Sequence, residues 1–291
     1  MKLGKLGVFT FTDGMDAKAL AELARRVEAL GYSTLWYPEA LSYESFALGG
    51  YLLGHSQRLI VGSGIANIYA RDPAAAAMGH NSLNALYGGR FVLGLGVSHA
   101  PIVGLRGHDY AKPVATMRAY LEGMEKALYL GRQPAEEAPV VLAALRTNML
   151  KLAAEKTRGA HSYFVTPEHT ARARTTLGSD AWLCTEQMVV LDTDPANARA
   201  VARKHMAIYL GLPNYQNNLR EYGFTDADFA DGGSDRVVDA ICAWGTEAQL
   251  RERIAAHHAA GATHVCVQAF RPDGEMGPDE RALQLLAPGR G

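Results

Sequence analysis

Short apolar runs and helix-forming segments alternate along this chain from one end to the other. The runs are rich in β-branched and aromatic residues, which is typical of buried strands, and the segments between them carry apolar residues three or four apart, which is typical of helices. Eight strands are predicted, each with a helical partner, and this count favours a (β/α)8 TIM barrel of the α/β class. The predicted strands span residues 6–10, 34–37, 59–61, 91–93, 140–142, 161–165, 182–191 and 264–268.

The alternative architecture is an open doubly wound sheet, which would bind a dinucleotide through a glycine-rich fingerprint near its first strand. The nearest candidate is GLG at residues 94–96, which follows the fourth predicted strand and continues into VSH at residues 97–99. It does not complete the fingerprint, and no helix is predicted to begin there. The barrel is therefore favoured over the open sheet.

Helix boundaries are marked by capping residues and by glycines. Asp or Thr side chains cap helices because their oxygens accept hydrogen bonds from free backbone N–H groups, and Pro is tolerated at the first helical position. One predicted helix spans residues 113–130 and ends at Gly131, and another ends at Gly261 with His257 and His258 on a face expected to be solvated. The predicted caps are Asp16, Asp72, Thr166, Asp194 and Thr246.

The segment 211–234 is too long for an ordinary connection between barrel elements. It falls between the seventh and eighth predicted strands and contains Asn214, Tyr215 and Tyr222. We expect it to form a lid over the barrel or a contact in a homodimer. Composition does not shift along the chain, so residues 1–291 are predicted to form a single barrel domain that contains this insertion.

Composition narrows the functional classes. The 291 residues are 48% hydrophobic and 20% charged, with a formal net charge of −1, so no basic surface for nucleic acid is expected. No apolar run approaches the ~18 residues of a membrane span, and the N-terminus lacks a signal-peptide core. Cys184, Cys242 and Cys266 lack metal-ligand spacing, so we expect buried free thiols and no metal site. A cytoplasmic protein that acts on a small molecule is the plain expectation.

Functional residues of a TIM barrel lie where its strands end. His99 follows the fourth strand and is the predicted acid or base, because histidine titrates near neutral pH; the alternative is a loop histidine bonded to backbone. Glu39 follows the second strand. A carboxylate there either accepts a hydrogen bond from a cofactor or substrate, or forms a salt bridge to a neighbouring loop or caps a helix.

Other strand ends offer backbone and small residues for a flat cofactor that carries its own reactivity. Gly64-Ile65, just past the third strand, is predicted to form a bulge against a ring system, with ordinary strand termination as the alternative. Arg146 stands at the helix start after the fifth strand, and Thr166 with His169 at the start after the sixth. Either helix start suits a phosphate, and either is equally explained by ordinary capping.

Two motifs in the chain, GSGIANIYARDP at residues 62–73 and GGRFVLGLGVSH at residues 88–99, resemble the luciferase-like monooxygenase superfamily of (β/α)8 barrels. The nearer match is its branch of oxidoreductases that depend on the deazaflavin coenzyme F420. The resemblance covers nearly the whole chain and includes VVLAALRTNML at residues 140–150, TPEHT at residues 166–170 and YLGLPNYQNN at residues 209–218.

The resemblance implies a set of cofactor contacts. Gly64-Ile65 matches a non-proline cis peptide that supports the convex face of a bent deazaflavin ring, and Glu39 matches an acidic position that faces the ring. The other implied contacts are Asn67, Val97 and Ser98 at the ring edge and ribityl chain, and Ala143, Ala144 and Arg146 beside the ribityl phosphate.

The chain departs from the sugar-phosphate dehydrogenases of this branch at two positions. It has Ala40 where they place an active-site histidine, and His99 where some place a glutamate. Their substrate is therefore not carried over. We expect hydride transfer between F420 and an unsaturated, carbonyl or alcohol substrate, with His99 moving the coupled proton and Glu39 orienting the ring or the substrate.

Alternatives stay open from the sequence. An FMN-dependent monooxygenase on the same barrel would consume O2, whereas a deazaflavin enzyme would not. A non-catalytic flavin-binding protein is a third hypothesis, which gains some weight from Ala40 and from the lack of a strong acid–base pair. A lyase or isomerase ranks last, because it would need a strand-end lysine or a paired Glu and His.

Overall fold

One closed parallel sheet organises the chain. In residues 1–289, which the computed structural model describes, ten strands form this sheet. They are β1 Leu6–Phe9, β2 Thr34–Tyr37, β3 Ile60–Ser63, β4 Ala66–Asn67, β5 Phe91–Gly96, β6 Val140–Ala143, β7 Gly159–Ser162, β8 Trp182–Val190, β9 Cys242–Trp244 and β10 His264–Phe270.

Closure of the sheet joins β8, β10 and β1. β10 pairs with β8 over seven residues, from His264 opposite Cys184 to Phe270 opposite Val190, and pairs on its other side with β1. The ring then runs through β2, β3, β5, β6 and β7 back to β8. These eight strands confirm the predicted TIM barrel. The short β4 extends β3 along β5, and β9 pairs with residues 188–190 at the far end of β8.

Helices surround the barrel. They are α1 Ala17–Ala29, α2 Ser45–Gly54, α3 Pro73–Leu86, α4 Ala100–Leu105, α5 Pro113–Glu125, α6 Thr147–Lys156, α7 Pro167–Leu177, α8 Pro195–Leu210, α9 Pro213–Arg220, α10 Asp226–Phe229, α11 Asp235–Ile241, α12 Glu247–Ala259 and α13 Glu280–Leu286. The predicted caps are confirmed, since each accepts a hydrogen bond from a backbone N–H of the helix it begins. They are Asp16, Asp72, Thr166, Asp194 and Thr246.

The core has two layers separated by the sheet. The larger lies between strands and helices, and a smaller one fills the barrel, where Phe9 and Trp36 pack with Val92, Cys184 and Cys266. All three cysteines are buried and free, as predicted. Alternating side chains along each strand explain the division, because neighbouring residues point to opposite faces of the sheet.

Several predicted boundaries are wrong, most clearly the end of one helix and the position of the sixth strand. α5 ends at Glu125 and not at residue 130, because Leu128 and Leu130 are 76% and 86% exposed and a longer helix would bury nothing there. The sixth barrel strand spans Gly159–Ser162 and not residues 161–165. Phe164 has φ 61°, a left-handed conformation that ends the extended chain.

The expectation of a solvated histidine pair on α12 is also wrong for its first member. His257 is 0% exposed, and its two ring nitrogens contact Thr170 Oγ1 at 2.8 Å and Gln187 Oε1 at 2.8 Å. Both ring nitrogens thus bond to groups that belong to α7 and β8. The helical spacing missed this because a histidine with two polar partners can be buried on the packed face.

Stability is expected to fall on mild acidification. Burial lowers the pKa of five histidines to about 3 or 4, so each stays neutral in the folded chain and protonates near 6.5 when unfolded. Their contribution is fully present above pH 6.5 and is lost as pH falls toward the folded pKa. Buried Glu186 has the opposite effect on stability, because its pKa rises to about 8 and the folded chain holds a proton that the unfolded chain releases. It is a single group, and the five histidines outweigh it. The histidines are His80, His161, His169, His257 and His264.

Urea unfolding at pH 7 and pH 5 measures this effect. We expect the free energy of unfolding to drop by about 2 kcal/mol or more between the two. An unchanged value would contradict the neutral, buried state of these histidines.

The insertion lies between β8 and β10, where it was predicted. After α8 the chain forms α9, α10 and a 3₁₀ turn at Ala230–Gly232, and returns through α11 to β9. Tyr215, Leu219 and Phe224 of the insertion pack with Phe164 in a separate apolar cluster. None of the helices described is long and apolar enough to cross a membrane.

Candidate active site

The carboxyl ends of the barrel strands bring most of the predicted site residues to one rim. The Gly64–Ile65 peptide bond, directly after β3, is cis, as the resemblance implied. Ile65 lies against Gly96 at the end of β5, where an added Cβ would stand 2.5 Å from Ile65 Cγ1. Glycine at 96 therefore permits this close approach. Ser98 follows with φ 56°, a left-handed conformation that turns the chain away from the barrel.

His99 is the residue directly before α4, and its side chain makes no capping hydrogen bond to that helix. Its ring lies 5.7 Å from that of Tyr215 on α9, measured between centroids. Its Nδ1 atom is buried and has no partner among the described residues. Burial lowers the pKa of His99, so the imidazole is mostly neutral at pH 7 and is better suited to accept a proton than to donate one.

Glu39 is held in place by four hydrogen bonds. The guanidinium of Arg71 donates to both of its oxygens, and the backbone N–H groups of Ser45 and Asn67 donate at 3.1 and 2.7 Å. The side chains of Arg71 and Glu39 are only 9% and 4% exposed. These contacts correspond to the alternative expectation, a salt bridge to a neighbouring loop, and they leave neither oxygen unpaired. Glu39 supports the backbone at Asn67 through the hydrogen bond that it accepts from the Asn67 N–H.

A second group of predicted residues lies at the starts of α6 and α7. Arg146 directly precedes α6, and its side chain is 54% exposed with Nε 3.5 Å from Glu221 Oε1. Arg172 also pairs with Glu221 and donates to Thr147 Oγ1 at 3.1 Å. Two cations thus share one carboxylate from the insertion. The helix start at which the sequence predicts a phosphate contact is therefore exposed and carries two arginines against one carboxylate.

The remaining predicted contacts offer little to a ligand through their side chains. Thr166 accepts a hydrogen bond from the backbone N–H of His169, which is ordinary capping. The His169 ring bonds to the Leu145 carbonyl oxygen at 2.6 Å and fixes the loop before α6. Ala144 is buried, and its N–H and carbonyl groups bond to His161 and Ser162. Only Ala143 of this set is partly exposed.

Two polar residues inside the barrel mouth escaped sequence analysis. Glu186 on β8 is 1% exposed and Gln268 on β10 is 2% exposed. Burial raises the pKa of Glu186 to about 8, so the acid is neutral at pH 7. The signal was present, because the polar residues Thr185, Glu186 and Gln187 interrupt the apolar residues of the strand WLCTEQMVV.

Aromatic rings connect these groups across the mouth. Tyr163 lies 5.3 Å from Phe9, 5.0 Å from Tyr209 and 6.5 Å from Tyr215, between ring centroids. Tyr215 in turn reaches His99. The aromatic rings therefore form a continuous series of contacts from His99 to Phe9 in the barrel interior.

The rim residues fit a flat heterocycle. The buried Nδ2 atom of Asn67 has no partner in the described part of the chain. A ring with carbonyl oxygens and nitrogens along its edge would accept a hydrogen bond from this donor. F420 and FMN share these edge groups, so Asn67 does not discriminate between the two rings.

The sequence profile of the luciferase-like monooxygenase family matches residues 3–264. The chain belongs to this family. Within the luciferase-like family it is 26% identical to a Mycobacterium tuberculosis protein provisionally named a coenzyme F420-dependent oxidoreductase, over 86% of this chain and 90% of that protein. It is 24% identical to the 5,10-methylenetetrahydromethanopterin reductase of Methanolobus tindarius, over 92% and 94% of the two chains.

Solved structures of other luciferase-like enzymes share the fold. The F420-dependent tetrahydromethanopterin reductase from Methanopyrus kandleri superposes with a TM-score of 0.79 at 18% identity, covering 99% of this chain and 98% of the other. A type II Baeyer–Villiger monooxygenase from Pseudomonas putida in complex with FMN gives 0.71 at 14% identity, with 99% and 98% covered. The relatives are oxidoreductases and monooxygenases, and the chain is an enzyme of the luciferase-like family.

Proposed function

We propose that this enzyme transfers a hydride between coenzyme F420 and a small carbonyl, alcohol or unsaturated substrate. The observation that carries the proposal is His99 Nδ1, a buried ring nitrogen without a partner in residues 1–289, which follows β5 as the cis peptide Gly64–Ile65 follows the neighbouring strand β3. The name of the Mycobacterium tuberculosis relative specifies F420, and the Methanolobus tindarius relative is named a reductase, so both names support hydride transfer rather than oxygenation. When bound, F420 would supply the hydride chemistry itself.

The chain's own residues have distinct roles in this proposal. His99 accepts the hydroxyl proton during alcohol oxidation and returns it in the reverse direction, because its neutral form predominates at pH 7. Glu39 is a positioning residue that holds Asn67 through a backbone N–H. The ring of the cofactor would be held by Gly64, Ile65, Asn67, Val97 and Ser98. The ribityl phosphate of the cofactor would be bound by Arg146, together with backbone groups of Ala143 and of the start of α6.

A binding titration of the purified protein with F420 and with FMN, followed by cofactor fluorescence, tests the proposal. We expect micromolar or tighter binding of F420 and at least about tenfold weaker binding of FMN. Arg146→Ala is expected to weaken F420 binding by about tenfold, since charge-assisted hydrogen bonds contribute about 1.5–3 kcal/mol. Arg158→Ala is the matched control, because Arg158 directly precedes β7 at the opposite end of the barrel.

The second candidate is an FMN-dependent monooxygenase, which the FMN-bound structural neighbour favours. Preference for FMN together with O2 consumption during turnover would replace the proposed function with this one. Binding of neither cofactor would contradict both.

A further inference from the structure

Two buried polar side chains lie side by side on the inner surface of the barrel and are not used by the proposed mechanism. In the β8–β10 pairing, Glu186 stands opposite Cys266, and Gln268 opposite Met188. Glu186 is two residues from Cys184, and Gln268 two from Cys266, and both cysteines belong to the barrel interior. Residues two apart on a strand share a face, so both polar side chains point inward.

Hydrogen bonds determine which atom of each group is free. The Tyr163 hydroxyl donates to Gln268 Oε1 at 3.0 Å, so the amide nitrogen Nε2 is turned away and has no partner among the described residues. The Phe164 backbone N–H donates to Glu186 Oε2 at 3.2 Å, and Oε1 has no partner in the same part of the chain. Each buried side chain is thus half satisfied.

Both free atoms are donors. Glu186 is buried, and residues 1–289 place no lysine, arginine or histidine nitrogen within 4.0 Å of it, so its carboxyl group is neutral. Since Oε2 accepts the Phe164 N–H, the acid proton resides on Oε1. The amide Nε2 of Gln268 carries two further N–H groups. Buried donors without acceptors are rare in folded proteins and indicate a missing partner.

We propose that Glu186 and Gln268 form a subsite that binds the carbonyl oxygen of the substrate. A carbonyl oxygen has two lone pairs and accepts one hydrogen bond from each donor. The subsite rests on the proposed function for the reaction and narrows its substrate class to ketones, aldehydes and conjugated carbonyl compounds. Glu186 and Gln268 bind the oxygen and transfer no proton. Addition of the hydride to the carbonyl carbon leaves a third lone pair on the oxygen, and this lone pair takes the proton from His99.

Ligand-detected NMR titrations test the subsite with matched pairs. Cyclohexanone is compared with methylenecyclohexane, and acetophenone with α-methylstyrene, so that only C=O and C=CH2 differ. With unmodified protein, with and without F420, we expect at least one ketone to bind about thirtyfold more tightly than its hydrocarbon, because two neutral hydrogen bonds each contribute about 1 kcal/mol.

Three variants separate the subsite from general packing. Gln268→Leu removes the Nε2 donor and is expected to reduce the ketone preference about fivefold. Glu186→Gln keeps a donor at the Oε1 position and is expected to retain the preference within about twofold. Met188→Leu, on the same strand and 1% exposed, conserves volume and is the control that should leave the preference unchanged.

Equal affinity for ketone and hydrocarbon in the unmodified protein would overturn the subsite. So would a Gln268→Leu variant that loses F420 affinity while keeping its ketone preference, since the pair would then belong to the cofactor. Fluorescence titration with F420 is done separately on each variant. A protein that binds no F420 but still prefers ketones contradicts the proposed function and leaves the subsite standing.

Discussion

Replacing His99 with alanine is expected to lower kcat by about 10²–10⁴ while changing F420 affinity by less than about threefold. Loss of a general base typically reduces the rate by this factor. The His99 ring contacts Tyr215 at the substrate side, and none of its described contacts lies at the start of α6 where the phosphate would bind. Turnover is followed by the absorbance of oxidised F420, with a carbonyl or alcohol substrate found by screening.

His108→Ala is the control for this experiment, because His108 is an exposed histidine only nine positions away in sequence. We expect its kcat to stay within about twofold of the unmodified enzyme. Added imidazole should restore part of the activity of His99→Ala, since it can occupy the space left by the ring. An unchanged kcat in His99→Ala would remove His99 from the mechanism.

The pH profile gives a second readout of the same residue. Because burial lowers the pKa of His99, the base form persists below pH 6.5. The acid limb of kcat/KM for alcohol oxidation is therefore expected below 6.5 and is expected to disappear in His99→Ala.

Glu39→Gln is expected to destabilise the fold by about 3 kcal/mol, and any loss of activity should follow the loss of folded protein. Removing one partner of a buried ion pair leaves the other charge unpaired, and such changes cost about 3–5 kcal/mol. The Arg71 side chain is 9% exposed and would retain the carboxylate of Glu44. Urea unfolding measures the change, and the double variant Glu39→Gln, Arg71→Met should recover part of it.

Glu44→Gln is the matched control, since Glu44 also pairs with Arg71 but is 51% exposed. Its expected cost is about 1 kcal/mol or less, because exposed ion pairs contribute little. If Glu39→Gln abolished turnover in a fully stable protein, Glu39 would act on substrate or cofactor directly, and its positioning role would be wrong.

The barrel could be predicted from sequence because its signals are local and repeated. Each strand is a short apolar run, and each helix begins at a capping residue such as Asp72 or Thr246, whose geometry depends on neighbours in the chain. The end of α5 was wrong because helix length there depends on what Leu128 and Leu130 could pack against, which local sequence does not contain. β9 was missed for a similar reason, since its three residues form a strand only by pairing with β8.

The candidate site was predictable where position alone defines it. His99 lies three residues past the end of β5, so the barrel places it on the rim. The partners of Glu39 were not predictable, because Arg71 lies 32 positions away and meets it only after β2 and β3 pair. Glu186 was overlooked because a strand interior is normally apolar, and its free oxygen is visible only once Phe164 occupies the other one.

Helix α9 joins two ends of the site that are otherwise far apart in sequence. Tyr215 near its start covers the ring of His99, and Glu221 directly after its end pairs with Arg146 and Arg172. A phosphate that takes Arg146 from Glu221 would loosen the far end of the same eight-residue helix. Occupancy of one end is thus communicated to the other as a change in binding free energy. Under the proposed function, cofactor and substrate would each change the affinity of the enzyme for the other by the same factor.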